Sequence, residues 1–184
     1  MKINKKLSTV FGLSLFLAFI SCKKETKTLA KNTLFLKEID SKVIDSLKID
    51  LNNNGIQDII QIQETINDSR IIVIKLKQGN KYVTIAENNK IIACKTCGYQ
   101  GGDPYISLNP QKNGFNLNLE FNSMTFRYDS GKIILESVDI IRVIQTQDSI
   151  NEKHLIKTTK DFGRIELAKV DIDFIDKLIN SATF

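Results

Sequence analysis

The pattern of apolar and polar residues along most of the chain is short and strand-like. Segments rich in Ile, Val and Leu are separated by turn residues, which is typical of strands joined by tight connections. These segments cover residues 34–36, 43–49, 56–62, 70–76, 82–85 and 133–144. Because the connections between them are short, the pattern predicts a meander of consecutive strands with antiparallel pairing.

The clearest alternation lies in the middle of the chain. Apolar residues occupy every second position on both sides of Asn122-Ser123. They are Phe115, Leu117, Leu119 and Phe121 before it, and Met124, Phe126 and Tyr128 after it. This period predicts a hairpin with one buried face and one solvated face, turning near Asn122-Ser123. The sequence Asp129-Ser130-Gly131 predicts the next turn.

One helix is predicted near the C-terminus. Asp171 or Asp173 can cap its start, and the apolar residues at 172, 175, 178 and 179 fall on one side. Together these elements predict a mainly β fold, α+β at most, for a single domain over residues 34–184. Two architectures remain open, one twisted antiparallel sheet or a small sandwich, each with the C-terminal helix.

The N-terminus has the pattern of an export signal. Three lysines precede an almost unbroken apolar run, Val10 to Ile20, which has the length of a signal-peptide core and is too short to span a bilayer. Ser21-Cys22 follows directly and resembles the lipobox of bacterial lipoproteins. We therefore predict that residues 1–21 are removed and that Cys22 carries the lipid, with an ordinary secretory signal as the alternative. Residues 22–33 are polar and charged, as expected of a tether.

Removing the signal changes the charge of the protein. The full chain carries +5, but three of its 26 basic residues and none of its 21 acidic residues lie in the signal. The mature chain of 163 residues is therefore close to neutral, at +2. This balance gives no electrostatic footprint for nucleic acid, so we expect no nucleic-acid partner.

Residues 50–58, DLNNNGIQD, space oxygen donors as a calcium loop does. The candidate ligands are the side chains of Asp50, Asn52, Asn54 and Asp58 and the carbonyl of Ile56, around a turn at the glycine. The spacing resembles the loops of EF-hands, dockerins and FG-GAP or VCBS-type β-propeller repeats. The alternative is a metal-free turn, because Asn and Gly tolerate positive φ.

The segment CKTCGYQGGDPY, residues 94–105, is the second candidate site. An even pair of cysteines in an oxidising compartment predicts a Cys94–Cys97 disulfide. A redox-active pair, a metal site and free thiols are the alternatives. Tyr99, Asp103 and Tyr105 are candidate ligand contacts because binding groups concentrate on rigidly held loops. Alternatively, the tyrosines pack over the disulfide.

Catalytic motifs are missing from the sequence. It contains no G-x-S-x-G, no H-E-x-x-H and a single histidine, which leaves no partner for histidine acid–base chemistry. We therefore predict that the protein is not an enzyme. The testable alternative is a glycosidase whose paired carboxylates are Glu120 and Glu136.

The order of these motifs resembles a group of small lipoproteins of Bacteroidota-type bacteria. The matching segments are 22, 50–62, 94–105, 113–128 and 160–163. The resemblance implies a lipid-anchored envelope location and this type of fold, and it implies no activity. Lys23 after the lipidated cysteine favours the outer membrane over retention at the inner membrane. We expect a non-catalytic binding or accessory module whose partner is an envelope protein or a glycan. The alternative is an inhibitor or immunity protein against a hydrolase or toxin.

Overall fold

Strands dominate the part of the chain that the computed structural model describes, residues 41–145 and 148–181. The predicted signal, the tether and the apolar segment 34–36 lie outside these residues. The strands are β1 Ser41–Ile49, β2 Asp58–Thr65, β3 Arg70–Gln78, β4 Lys81–Asn88, β5 Tyr105–Gln111, β6 Gly114–Leu119, β7 Asn122–Asp129, β8 Lys132–Gln145, β9 Ile150–Thr158 and β10 Ile165–Glu166. The α-helices are α1 Thr159–Phe162 and α2 Ile172–Asn180.

The strands form two antiparallel sheets. The first has the order β1-β2-β3-β4, so it is a simple meander. The second has the order β10-β8-β7-β6-β5, and β9 also pairs with β8. The long strand β8 pairs with β10 near its start, at Ile134–Leu135, and with β9 over Ser137–Gln145. Chain order therefore decides most of the pairing, as the short connections predict.

A single hydrophobic core joins the two sheets. Ile60, Ile62 and Ile74 of the first sheet and Phe115 and Phe126 of the second are fully buried members of the same cluster. The rings of the cross-strand pair Phe115 and Phe126 stack at 5.2 Å between centroids. The mainly β prediction with a C-terminal helix is confirmed, and of the two open architectures the protein has two sheets rather than one.

The central hairpin turns earlier than its apolar period predicts. Leu119 pairs with Asn122, so Glu120 and Phe121 form the turn and Asn122 already belongs to β7. Phe121 is 41% exposed instead of buried, whereas Asn122 is buried. The turn shifts because this register places Leu119 and Met124 on the core face, leaving Phe121 beyond the last pair.

The next connection agrees with its prediction. Asp129 pairs with Lys132, and the two residues between them, Ser130 and Gly131, have φ of 52° and 85°. A two-residue hairpin turn with positive φ at both central positions matches the twist of the flanking strands, and glycine adopts it without steric cost. By contrast, the apolar segment Ile91–Ala93 lies outside the strands.

The C-terminal helix α2 is held at its start by a buried asparagine. Asp171 caps the helix by accepting a hydrogen bond from the Phe174 N–H at 2.8 Å. At the end of β4, the Asn88 amide donates to the carbonyls of Leu167 and Val170 at 2.6 and 2.7 Å. Leu167 and Val170 precede the helix, so their hydrogen bonds to Asn88 fix the start of α2 beside the end of β4. Among the described residues, no helix is long and apolar enough to cross a membrane.

The β8–β9 hairpin carries the single histidine of the chain, His154. Its pKa tests the contact that His154 makes with Asp139 of the neighbouring strand. His154 Nδ1 lies 3.0 Å from Asp139 Oδ2, and Glu152 lies 3.7 Å from Nε2. The hydrogen bond and the charge of Asp139 raise the pKa of His154 above its ordinary value of 6.5. The pair therefore stabilises the fold fully below pH 6.5, and this contribution is lost as the pH rises through the folded-state pKa.

An NMR titration measures this shift, since only one imidazole contributes to the spectrum. We expect a midpoint above 6.5 in the wild type and a return toward 6.5 in Asp139→Asn. A wild-type midpoint at or below 6.5 would contradict the contact between His154 and Asp139.

Candidate functional site

The Asp-Asn loop, residues 50–58, is closed by hydrogen bonds between its own side-chain oxygens and its backbone N–H groups. The two oxygens of Asp50 accept hydrogen bonds from the N–H groups of Asn54 at 3.1 Å and Gly55 at 2.7 Å. Asn52 also accepts from the Asn54 N–H, and Asn54 accepts from the Ile56 N–H. Such Asx turns hold the loop in shape without a cation. The predicted ligands Asp50, Asn52 and Asn54 are therefore part of one hydrogen-bonded turn.

Asp58 has a different environment from the rest of the loop. It is fully buried, and its two oxygens accept from the N–H groups of Leu51 at 3.0 Å and Lys77 at 2.8 Å. The carboxylate thereby ties the loop to β3. In the described part of the chain, no group of three or more His, Cys, Asp and Glu side chains is placed to hold a metal ion. A calcium ion here would depend on amide and carbonyl oxygens in addition to Asp50 and Asp58.

The two cysteines of the second loop are bonded to each other. The Cys94–Cys97 disulfide joins Cα atoms 5.0 Å apart, a separation that agrees with the predicted bridge. Gly98 and a single 3-10 turn at Tyr99–Gly101 follow it, rather than the long helix that lowers the thiol pKa in redox-active pairs. The disulfide closes a small ring at the start of the loop.

Hydrogen bonds join the Cys loop, residues 94–105, to the β6–β7 turn. The Tyr99 N–H donates to Glu120 Oε2 at 2.8 Å, and the Glu120 N–H donates to the Pro104 carbonyl at 2.9 Å. A Cβ atom at Gly98 would lie 2.7 Å from the Gly102 carbonyl oxygen and 2.9 Å from Glu120 Oε2. Only glycine fits at residue 98 without displacing these groups, so the loop packs closely against the turn.

Asp103 and Tyr105 belong to an internal ionic network. Asp103 Oδ2 lies 2.6 Å from Arg70 Nη2, and Glu64 lies 2.9 Å from the same nitrogen. Arg70 is 2% exposed, so its charge is neutralised inside the protein by these two carboxylates. The Tyr105 hydroxyl donates to Asp45 of β1. The network fastens the Cys loop to the β2–β3 connection and β5 to β1.

The Tyr105 hydroxyl is held in its neutral form. Burial, followed by the hydrogen bond and the charge of Asp45, raises the pKa of Tyr105 above its ordinary value of 10.0. The hydroxyl therefore remains a donor to Asp45 throughout the neutral pH range. Of the three residues predicted to contact a ligand, Asp103 and Tyr105 have their polar groups engaged within the protein, and only Tyr99 faces a groove.

This groove lies between the Cys loop, the β6–β7 turn and α2. It has a volume of about 230 Å³. Its lining is mostly apolar and includes Ile91, Tyr99, Leu119, Phe121, Ile172 and Ile175. Tyr99 and Phe121 form an edge-to-face pair with centroids 6.2 Å apart. They are 64% and 41% exposed, so an aromatic rim stands above an apolar floor.

Three polar side chains also line the groove. They are Glu120 in the β6–β7 turn, Asn122 at the start of β7, and Asp176 on α2. A concave, mainly apolar site with a few polar groups is the usual form of a ligand site. The groove is therefore the candidate binding site among the described residues.

The structure separates the two carboxylates on which the glycosidase alternative depends. Glu120 is in the β6–β7 turn, where Tyr99 holds it. Glu136 lies in β8 at the bulge opposite Thr125 and Phe126, 3.7 Å from the Arg127 Nε. Asn122 pairs with Ile140, four residues further along β8, so roughly 13 Å of strand separates the two positions. The two carboxylates do not share one cleft.

Comparison with family models, with curated proteins and with solved structures found no match to this chain. Its function is therefore argued from its own residues.

Sequence reasoning missed most of the groove. The apolar period predicts Phe121 as a buried strand residue, and the sequence pattern gives no signal for Asp176. The sequence signal for the β6–β7 turn is the pair Glu120-Phe121, because two residues between two alternating runs have the length of a hairpin turn. Nothing in the sequence places α2 beside that turn.

Proposed function

We propose that this protein is a lipid-anchored envelope protein that works as a non-catalytic binding or accessory module. The anchor is Cys22, preceded by a charged and apolar signal. The observation that carries the binding role is the aromatic-rimmed groove between the Cys loop and α2. Exposed large aromatic side chains beside an apolar floor supply contact area at low entropic cost, as binding surfaces do.

The rigidity of the groove supports the same role. The disulfide, the contact between Tyr99 and Glu120, and the Asn88 hydrogen bonds hold its three sides. A preformed site loses less conformational entropy when a partner binds than a flexible one does. The outer membrane is the location that we propose for the module, and its partner is an envelope component.

Capture of the partner tests this role through a matched pair of variants. We expect the C-terminally tagged protein, expressed in its own bacterium, to recover one envelope component. Phe121→Ser should reduce the recovery more than about tenfold, because a buried aromatic contact contributes about 2 kcal/mol or more. Tyr82→Ser removes an aromatic side chain of the same 41% exposure on β4 and should leave recovery unchanged.

Equal recovery by both variants would overturn the groove as the binding site, and recovery of no component by the wild type would overturn the binding role. The identity of the partner separates two classes of function. A stoichiometric hydrolase or toxin would indicate an inhibitor, and subunits of an envelope complex would indicate an accessory module.

Calcium binding at the Asp-Asn loop is a separate prediction. With a dissociation constant in the millimolar range, 10 mM calcium should stabilise the wild type by about 1.4 kcal/mol, which raises the melting temperature by roughly 3–6 °C. Asp50→Ala should abolish this rise, since it removes one of the two carboxylates. Asp148→Ala, which removes an exposed aspartate outside the loop, should keep it. A wild-type melting temperature that calcium does not change would identify the loop as a metal-free turn.

A further inference from the structure

The charged residues of the groove all have the same sign. Within the described residues, its lining includes the carboxylates of Glu120 and Asp176 and no Lys, Arg or His. The rest of the protein differs from this, because the chain after the signal has 23 basic and 21 acidic residues. Two acids at the edge of an apolar floor favour a cationic ligand group and repel phosphates and other anions.

A buried amide also borders the groove. Asn122 lines it and is only 9% exposed, and its Oδ1 atom is closed to solvent. The charged groups that a ligand meets in the groove are therefore the two carboxylates of Glu120 and Asp176.

The lining restricts what kind of donor-bearing molecule fits. The floor is formed by the buried side chains of Ile91, Leu119 and Ile175. These groups make no hydrogen bonds with a ligand, so the floor favours an apolar ligand group. A volume of about 230 Å³ has room for one or two amino-acid side chains. An apolar side chain next to a basic one satisfies the floor and both carboxylates.

From these observations we propose that the groove binds a polypeptide segment of its partner in which an aliphatic or aromatic side chain adjoins a Lys or Arg. The apolar side chain fills the floor beneath Tyr99 and Phe121. The cationic group pairs with Glu120 and Asp176. This inference rests on the proposed binding role and specifies the chemistry of its ligand.

Glu120 is prepared for this role by the Cys loop. The Tyr99 N–H donates to its Oε2 atom and holds the carboxylate at the rim. Because the carboxylate is already positioned, little rotamer freedom is lost when a cation binds. Asp176 is exposed on α2, so its charge is also available to a ligand in the groove.

Selection from a displayed library of random twelve-residue peptides tests the proposal. The purified full-length protein in detergent is the bait, and peptides that also bind the Phe121→Ser variant are removed first. We expect the remaining peptides to share a Lys or Arg next to an apolar residue. Enrichment of acidic or uncharged peptides, or of none, would overturn the inference.

The best enriched peptide is then measured by calorimetry against charge-neutralising variants. Glu120→Gln keeps an acceptor for the Tyr99 N–H, and Asp176→Asn changes an exposed helix residue, so both should fold. We expect each to weaken binding about 3–10-fold, with the loss shrinking in high salt. Replacing the basic residue of the peptide by Gln should cause a similar loss of affinity. Because both changes remove the same interaction, this peptide should bind Glu120→Gln no more weakly than it binds the wild type.

The outcomes separate this inference from the proposed function. If the envelope partner is lost with Phe121→Ser but bound normally by Glu120→Gln and Asp176→Asn, the binding role stands and the cationic ligand is wrong. If no partner depends on Phe121, the binding role itself fails.

Discussion

Cys22→Ser is expected to abolish lipid attachment. The wild type should incorporate an alkyne-labelled fatty acid and yield a mature chain that begins at residue 22, whereas the variant should incorporate none. The reason is chemical, since Cys22 is the residue proposed to carry the acyl chains, and each buried methylene contributes about 0.8 kcal/mol to membrane binding. The label is measured by fluorescence after coupling, and the mature N-terminus by mass spectrometry.

A control and a second measurement exclude indirect effects. The double variant with Cys94→Ser and Cys97→Ser keeps Cys22, so it should keep the label. Replacing residues 1–22 by a secretory signal without a lipobox should place the chain in the soluble envelope fraction. Labelling of Cys22→Ser at the wild-type level would contradict the lipoprotein prediction.

The second large effect is expected from Asn88→Ala. The Asn88 side chain donates to the carbonyls of Leu167 and Val170 and accepts from the N–H groups of Lys90 and Ile91. Removing it leaves four backbone groups without these partners, most of them buried. We expect a loss of about 3 kcal/mol in the free energy of unfolding, because each unsatisfied buried group costs about 1–3 kcal/mol. The melting temperature should fall by roughly 6–12 °C, measured by circular dichroism.

Asn88→Asp provides a sharper comparison at the same residue. It keeps the two accepted hydrogen bonds but places a carboxylate against two carbonyl oxygens. This variant should be at least as unstable as Asn88→Ala at neutral pH and should recover on acidification, when the protonated carboxyl group donates one hydrogen bond. Asn109→Ala, at an exposed asparagine in β5, should change stability by less than about 0.5 kcal/mol. A similar change at residues 88 and 109 would contradict the role of Asn88.

Sequence patterns predicted the fold where strands alternate strictly. Residues Phe115 to Tyr128 and the turn at Ser130-Gly131 carry strong local signals, and the structure has the hairpins there. Strands β5 and β9 were missed because their sequences, YISLNPQ and INEKHLIKT, mix polar and apolar residues without a clear period. Their pairing is determined by the neighbouring strands, which the local sequence does not encode.

The candidate groove was largely beyond prediction for a different reason. Its sides come from segments near residues 91–104, 119–122 and 172–179, so tertiary packing alone brings them together. Tyr99 was recognisable as an exposed aromatic in a glycine-rich loop. Phe121 was misinterpreted because the alternation continues through it, and only the register of Leu119 with Asn122 shows that it lies in the turn.

Cys97 lines the groove as well as closing the small disulfide ring. Disulfides persist in oxidising compartments, whereas cysteine thiols are kept reduced in the cytosol. For the exported protein that we propose, the bridge beside Tyr99 would therefore form only after export. The disulfide side of the candidate groove would then be completed in the envelope.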